Sequence, residues 1–243
     1  MEIRPNITVL KVNMLSPLYG PSSIYPVLIR DEDGLTLVDT GMLGQFASLK
    51  EALDESGVRL TDIKRILITH QDIDHIGNVV LLTKEIPNVK LLVHEIELPY
   101  LNGSQPFIKM SPDRVRQMPV PFQEMVQGLL QDLPHLDPIQ VLRDGDILPI
   151  GGGAEVIHTP GHTPGHICLY LRNSELLLAA DELRVAEGAL VGPLESATPD
   201  MPLALQSMHK LKGLPIRTVV CYHGGVYEGS PQALIDSLSD SGS

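Results

Sequence analysis

Four side chains able to hold a metal ion, His70, Asp72, Asp74 and His75, fall within six positions of the string Thr69-His70-Gln71-Asp72-Ile73-Asp74-His75-Ile76-Gly77. The string follows Arg65–Thr69, a short β-branched run that reads as a buried strand. Ligands this close on a loop can face two adjacent ions. On a solvated helix the same residues would be an ordinary polar face, but the apolar run before them and Gly77 after them argue for a loop at the mouth of a sheet, where sites of α/β proteins form. A second cluster, Thr159-Pro160-Gly161-His162-Thr163-Pro164-Gly165-His166, also follows a strand, and its prolines and glycines fix a rigid turn. Asp181 closes the apolar run Leu176–Ala180, and His223 closes Val219–Tyr222 ahead of Gly224-Gly225. An ionisable residue at the end of an apolar strand thus recurs four times. Any one reads as a turn residue; together they read as a metal site.

The elements that must carry these residues alternate. Ile7–Val12, Ile24–Ile29 and Leu35–Val38 read as strands, the last two joined by a hairpin turn at Asp31–Gly34. Gln45–Ser56 reads as a helix ended by Gly57, Gly77–Glu85 as a helix stopped by Pro87, and Val89–Val93 as a buried strand. In the second half, Ala154–Thr159, Ile167–Leu171, Leu176–Ala180 and Thr218–Tyr222 read as strands, with helices at Pro202–Lys212 and Pro231–Leu238. Two such halves predict two sheets packed face to face with helices outside, in one domain spanning 1–243. Between them Leu98–Pro138 differs in character: it holds Met110, Met118, Met125, seven prolines and a helical stretch near Gln123–Leu133. Long excursions in compact domains are usually lids or binding loops, so a substrate-covering cap is expected here.

Composition narrows the function. The 243 residues, 43% hydrophobic, can bury a sizeable core, and 30 acidic against 18 basic residues give a formal charge of −12. That balance disfavours a nucleic acid partner, which needs phosphate neutralisation. No run approaches the roughly 18 apolar residues of a membrane helix, and the start MEIRPNITVLKVN has no signal-peptide core. A cytoplasmic protein acting on a small molecule is expected, with no membrane partner; nothing in the sequence sets an oligomeric state. Cys168 and Cys221 sit in apolar runs and read as small buried thiols.

The order of motifs resembles the metallo-β-lactamase superfamily, which includes glyoxalase II enzymes and acyl-homoserine lactonases. The family's strings are Asp-x-Gly after a strand, then His-x-His-x-Asp-His, a later His, a bridging Asp and a final His. Here they are Asp39-Thr40-Gly41, His70 to His75, His162, Asp181 and His223, in that order, a likeness running from about Ile24 to Gly225. The resemblance implies an α+β fold, the αββα four-layer sandwich, and two divalent metal ions per chain at one edge of it. It assigns His70, Asp72 and His162 to the first ion, Asp74, His75 and His223 to the second, and Asp181 to both. Asp39 matches a position that supports the site without ligating metal, orienting a ligand and setting its tautomer.

Asp72 departs from the family pattern, which has His there. With Asp72, Asp74, Asp181 and a bridging hydroxide, two divalent ions are cancelled to about zero net charge, against about +1 with His. A less positive centre acidifies water less, and a carboxylate suits Mn²⁺ or Fe²⁺ better than imidazole does, so zinc, common in the family, competes here with manganese and iron. The implied reaction is hydrolysis of an ester, lactone or thioester, with Asp181 bridging the ions and Asp74 moving the proton. A glyoxalase II is disfavoured because only 20 residues follow His223. The alternatives are an iron-dependent dioxygenase using His70, Asp72 and His162, and a silent ligand-binding effector. His166 is expected to hydrogen-bond within its turn, and His94, His135, His158 and His209 read as ordinary core or surface residues. Tyr222 and Arg184 are candidates to touch a substrate oxygen, the arginine suiting a carboxylate-bearing substrate.

Overall fold

Strand Ile63–Ile68 shows how the layers arise. Ile66 and Ile68 face one apolar cluster and Leu67 faces another, because successive strand residues point to opposite faces. Lys90–His94 repeats the division, with Leu91 and Val93 on one side and Leu92 on the other. In the second sheet Leu176 and Leu178 face the shared cluster while Leu177 and Ala179 face a third. Each sheet is therefore apolar on both faces and needs cover on both. The computed structural model, which describes residues 1–16 and 20–241, supplies it: two sheets pack on each other and helices cover their outer faces.

The first sheet has seven strands in the order Glu2–Arg4, Ile7–Val9, Val27–Asp31, Gly34–Val38, Ile63–Ile68, Lys90–His94 and Ile139–Leu142, the last four parallel. The second has six, Ile147–Leu148, Ala154–His158, Ile167–Leu171, Leu176–Ala180, Thr218–Cys221 and Gly225–Glu228. Helix Phe46–Glu55 brings Leu49 and Leu53 to the first sheet, and Val79–Glu85 brings Val79 and Leu82. On the second sheet Met208, Leu211 and Ile235 pack on Tyr170, Val219 and the free, buried thiols of Cys168 and Cys221. This is the expected four-layer α+β sandwich. No helix among the described residues is long and apolar enough to cross a membrane.

Three expectations shift. The run Ile24–Ile29 is broken at Tyr25-Pro26, since proline has no N–H to give a ladder; the strand begins at Val27, and the Pro26 carbonyl accepts from Leu10 N–H at 2.9 Å. The run Ile7–Val12 splits, Ile7–Val9 staying in the first sheet and Val12–Ser16 pairing with Gly20–Ile24 in a separate hairpin. The ligand string is not wholly a loop: Ile73–Ile76 makes one helical turn, closed by His75 N–H and Ile76 N–H donating to Asp72 O at 2.8 and 3.0 Å. Gly77 follows because any Cβ there would collide with the backbone of Met42 and Leu43.

The segment at about 98–138 folds as helices Leu98–Leu101, Pro112–Arg116 and Val120–Asp132. It buries Phe122, Val126, Leu129 and Leu133 in the same cluster that covers the first sheet, so it extends the outer helical layer. It then delivers Ile139–Leu142 as the sheet's last strand, an element too short for its pattern to stand out.

Candidate metal centre

The strands that point the same way end at one edge, and that edge collects the candidate ligands. Asp39 follows Gly34–Val38, His70 follows Ile63–Ile68, the His162 turn follows Ala154–His158, Asp181 follows Leu176–Ala180, and His223 follows Thr218–Cys221. The two sheets are stitched there by Ile167 N–H to Thr69 O at 3.3 Å and Tyr25 N–H to Tyr222 O at 3.0 Å. Gly161, at φ +137°, lets the His162 turn press against helix Met201–Ser207, where a Cβ would strike Ala204.

All seven ligand candidates converge, in two groups. His70, Asp72, His162 and Asp181 each place one ligand atom within 4.8 Å of the others, and so do Asp74, His75 and His223. Asp181 spans the groups: its Oδ1 is 3.3 Å from His75 Nε2, and its Oδ2 is 3.2 Å from His162 Nε2 and 3.5 Å from His223 Nε2. His223 Nε2 lies 3.2 Å from Asp74 Oδ2. His70 Nε2, His75 Nε2 and Asp181 Oδ1 are buried without a hydrogen-bond partner among the described residues. Unpartnered buried polar atoms are costly, and imidazole and carboxylate lone pairs aimed at common points are what divalent ions require. The donor set fits the metal ions that the motif order implies.

The surroundings fix these donors. Asp39 Oδ2 lies 2.8 Å from His75 Nδ1 and accepts from Thr69 Oγ1, while Oδ1 accepts from Thr69 N–H at 2.9 Å. The carboxylate thus holds the His75 proton on Nδ1 and turns Nε2 to the centre. At His162, Nδ1 is 3.2 Å from Thr198 Oγ1, whose own proton goes to Leu194 O, so Nδ1–H donates and Nε2 is turned to the centre. His166 hydrogen-bonds Thr159 in its turn, and its Nε2 also accepts the Asp181 backbone N–H at 3.2 Å, positioning the shared carboxylate.

Charge is unevenly distributed. Burial, helped by neighbouring His75, pushes His70 down to about 4, so its ring is neutral. Burial would raise Asp72, but Lys109, His162 and His70 outweigh it and hold the carboxyl well below its usual range. Burial would lower His223, yet Asp181 and Asp74 carry it up to about 10.

Beside the centre lies a cavity of about 400 Å³. Asp72 and Asp74 form its floor, and Phe107, Ile108 and Met110 from the inserted segment form one wall. Met118 and Met125 do not line it; Met118 is buried in the segment's own packing and Met125 is on the surface. Tyr222 and Arg184 do not line it either. The Tyr222 ring is buried 3.8 Å from that of His75, and its hydroxyl donates to Asp74 O at 2.5 Å, so it braces the ligand turn. Arg184 Nε donates to Gly192 O at 3.2 Å.

Sequence reasoning did not single out Glu97 or Lys109. Glu97, fully buried, accepts from Gln71 Nε2, Thr163 Oγ1 and Gly165 N–H at 3.1, 2.6 and 2.8 Å, joining the two ligand-bearing turns. Lys109 reaches into the centre, 2.6 Å from both Asp72 Oδ2 and His162 Nε2. Its signal in the sequence is slight, a lone cation within Phe107-Ile108-Lys109-Met110.

The metallo-β-lactamase superfamily model matches residues 19–223. A probable metallo-hydrolase, YflN of Bacillus subtilis, is 26% identical over 224 residues, covering 84% of this chain and 80% of its own. A hydroxyacylglutathione hydrolase of Fuscovulum blasticum is 32% identical over 177 residues, covering 72% of this chain; the match spans about half, 52%, of that relative. The solved structure of the metallo-β-lactamase family protein TTHA1429 from Thermus thermophilus superposes with a TM-score of 0.75 at 26% identity, covering 99% of this chain and 80% of that one. The chain belongs to the metallo-β-lactamase superfamily.

Proposed function

We propose that this metal-dependent hydrolase opens an ester, lactone or thioester carbonyl of a small molecule at a pair of divalent ions. His70, Asp72 and His162 would hold the first, Asp74, His75 and His223 the second, and Asp181 both. The observation that carries the reading is Asp181: its Oδ2 lies beside both His162 of the first group and His223 of the second, and its Oδ1 faces His75. Relatives named metallo-hydrolase and hydroxyacylglutathione hydrolase support hydrolysis and an acyl substrate. Three carboxylates among seven donors favour manganese or iron alongside zinc.

Bound divalent ions would supply a hydroxide nucleophile at neutral pH and polarise the scissile carbonyl. The protein does the rest. Asp39 and Thr198 fix the tautomers of His75 and His162. Asp74 sits on the cavity floor with His223 beside it, placed to take a proton from the nucleophile and pass it to the leaving group. Phe107, Ile108 and Met110 wall the cavity and keep bulk water from the acyl chain.

The test is elemental analysis of the purified protein joined to a panel of esters, lactones and thioesters. Two divalent ions per chain with turnover on at least one acyl class is the expected result. One iron per chain with oxygen uptake would replace this reading with a dioxygenase, and full loading without turnover on any acyl compound would replace it with an effector.

A further inference from the structure

Lys109 occupies an unusual place. Its side chain is largely buried, and its ammonium lies 2.6 Å from Asp72 Oδ2 and 2.6 Å from His162 Nε2, two atoms themselves 3.0 Å apart. Because His162 donates through Nδ1 to Thr198, its Nε2 has a single in-plane lone pair to offer. The same Nε2 lies 3.2 Å from Asp181 Oδ2, so the ammonium and two carboxylates crowd the one ring atom that faces the centre. The ammonium thus sits against the two atoms, Asp72 Oδ2 and His162 Nε2, that would bind the first ion. Asp72 is the position at which this chain carries an anion in place of the family's neutral imidazole, and Lys109 is the cation paired with it.

The backbone that carries Lys109 is anchored on both sides. Phe107 and Met110 are buried, Ile108 N–H donates to Gln71 Oε1 at 2.9 Å, and Arg114 Nη1 donates to Lys109 O at 3.1 Å. The side chain alone can move, on a flexible four-carbon stem, and the cavity of about 400 Å³ that it borders has room for it, with Glu195 on the wall.

We propose that Lys109 is a built-in competitor for the first metal position. The ammonium and an ion there would draw on the same donor atoms of Asp72 and His162, and their like charges would repel at such a separation. The second position, Asp74, His75 and His223 with Asp181, has no lysine or arginine paired with it among the described residues and fills first. The first position fills only as Lys109 swings into the cavity. The inference rests on the metal reading of the seven-residue centre, and it makes the two positions unequal.

The experiment is a Co²⁺ titration of the purified full chain against a chromophoric chelator, for wild type and Lys109→Met, a neutral side chain of similar length. In wild type two classes of site are expected. In the variant the weaker class should tighten by roughly 10- to 100-fold, the size expected when a charge-assisted hydrogen bond no longer has to be released, while the tighter class stays within a factor of about two. A second readout uses wild type alone, and so does not depend on the variant folding. Acetylation of Lys109 by an amine-reactive ester, followed by peptide mass spectrometry, should be slow with no metal or one equivalent and should accelerate with the second. Two sites of equal affinity in wild type, a weaker class unmoved or loosened by Lys109→Met, or acetylation indifferent to the second equivalent would overturn the competitor role alone. No Co²⁺ binding by either protein would overturn the metal reading together with it.

Discussion

At the scale of single residues, the centre is governed by where each donor's proton is held. Asp39 adopts φ +62°, a left-handed conformation that Asp and Asn tolerate and most other residues do not. Asp39→Asn therefore keeps the backbone while replacing the oxygen that faces His75 Nδ1 with an amide. Metal affinity at the second position should fall roughly 10- to 100-fold, the usual cost of losing a partner behind a histidine ligand. The measurement is chelator competition beside a thermal melt, and unchanged affinity in a folded variant would remove Asp39 from the site. Asp72→His, which restores the family's ligand type and removes one negative charge, should shift metal content toward zinc after growth in mixed zinc and manganese, with the fold retained. An unchanged ratio would count against the charge argument. Both residues stood out in the sequence because they sit in short strings whose order is itself informative. Lys109 did not: it is 37 positions from Asp72, and it is aimed inward by the tertiary packing of Phe107 and Met110 and the hydrogen bonds of the backbone around it.

Elements set the next scale, and here the two ligand-bearing turns are held in register by one buried carboxylate. Glu97 binds the Gln71 amide, whose oxygen is committed to Ile108 N–H, so the orientation of Gln71 is fixed from both ends. Glu97→Ala would leave three buried donors without an acceptor, at roughly 1–3 kcal/mol each. Glu97→Gln keeps one oxygen for Thr163 and Gly165 but sets two amide groups against each other at Gln71, and should cost less. Urea melts should rank the two variants in that order, with metal retention falling alongside; equal stability of all three proteins would end the argument. A second element-scale device is the stack of His94 on His158, ring centres 4.4 Å apart at 17°. Burial, then His158, lowers His94 to about 4. The unfolded chain, with His near 6.5, takes up the proton first, so this contribution to stability is present above about pH 6.5 and is lost as pH falls toward 4. His94→Phe keeps a ring and removes the titration. Its melting temperature should decline less than that of wild type between pH 7.5 and 4.5, and parallel declines would refute the assignment. The sequence did not expose this pair: the two rings are 64 positions apart, and neither sits in a recognisable pattern.

For the molecule as a whole, legibility followed the length of the signal. The layered sandwich could be read because its central strands are apolar on both faces and separated by helices that glycine or proline ends, and Ile167–Leu171 and Leu176–Ala180 begin and end where the pattern places them. The short pieces, Ile147–Leu148 and the hairpin Arg184–Ala186 with Ala189–Val191, carry too few residues for a period to show. The inserted segment stood out in the sequence as a distinct excursion but not in its inner arrangement, because methionine spacing does not say which side of a helix meets the cavity. The structure turns Phe107, Ile108 and Met110 toward the cavity and sends Met118 and Met125 elsewhere. This changes which substitution probes the cover. Ile108 is partly exposed at the wall, so Ile108→Asp places a charge on the cavity lining without opening a buried core. Activity on long-chain esters should fall more than on short ones, by about tenfold for each 1.4 kcal/mol of apolar stabilisation that the charge removes, with metal content held. Met125→Asp is the control: its side chain is exposed and off the cavity, so any loss should be equal across chain lengths. A chain-length series run on both variants, with melting temperatures, separates a wall that chooses substrates from a segment that only packs. Equal losses for Ile108→Asp across the series would show that the inserted segment covers the centre without selecting what enters it.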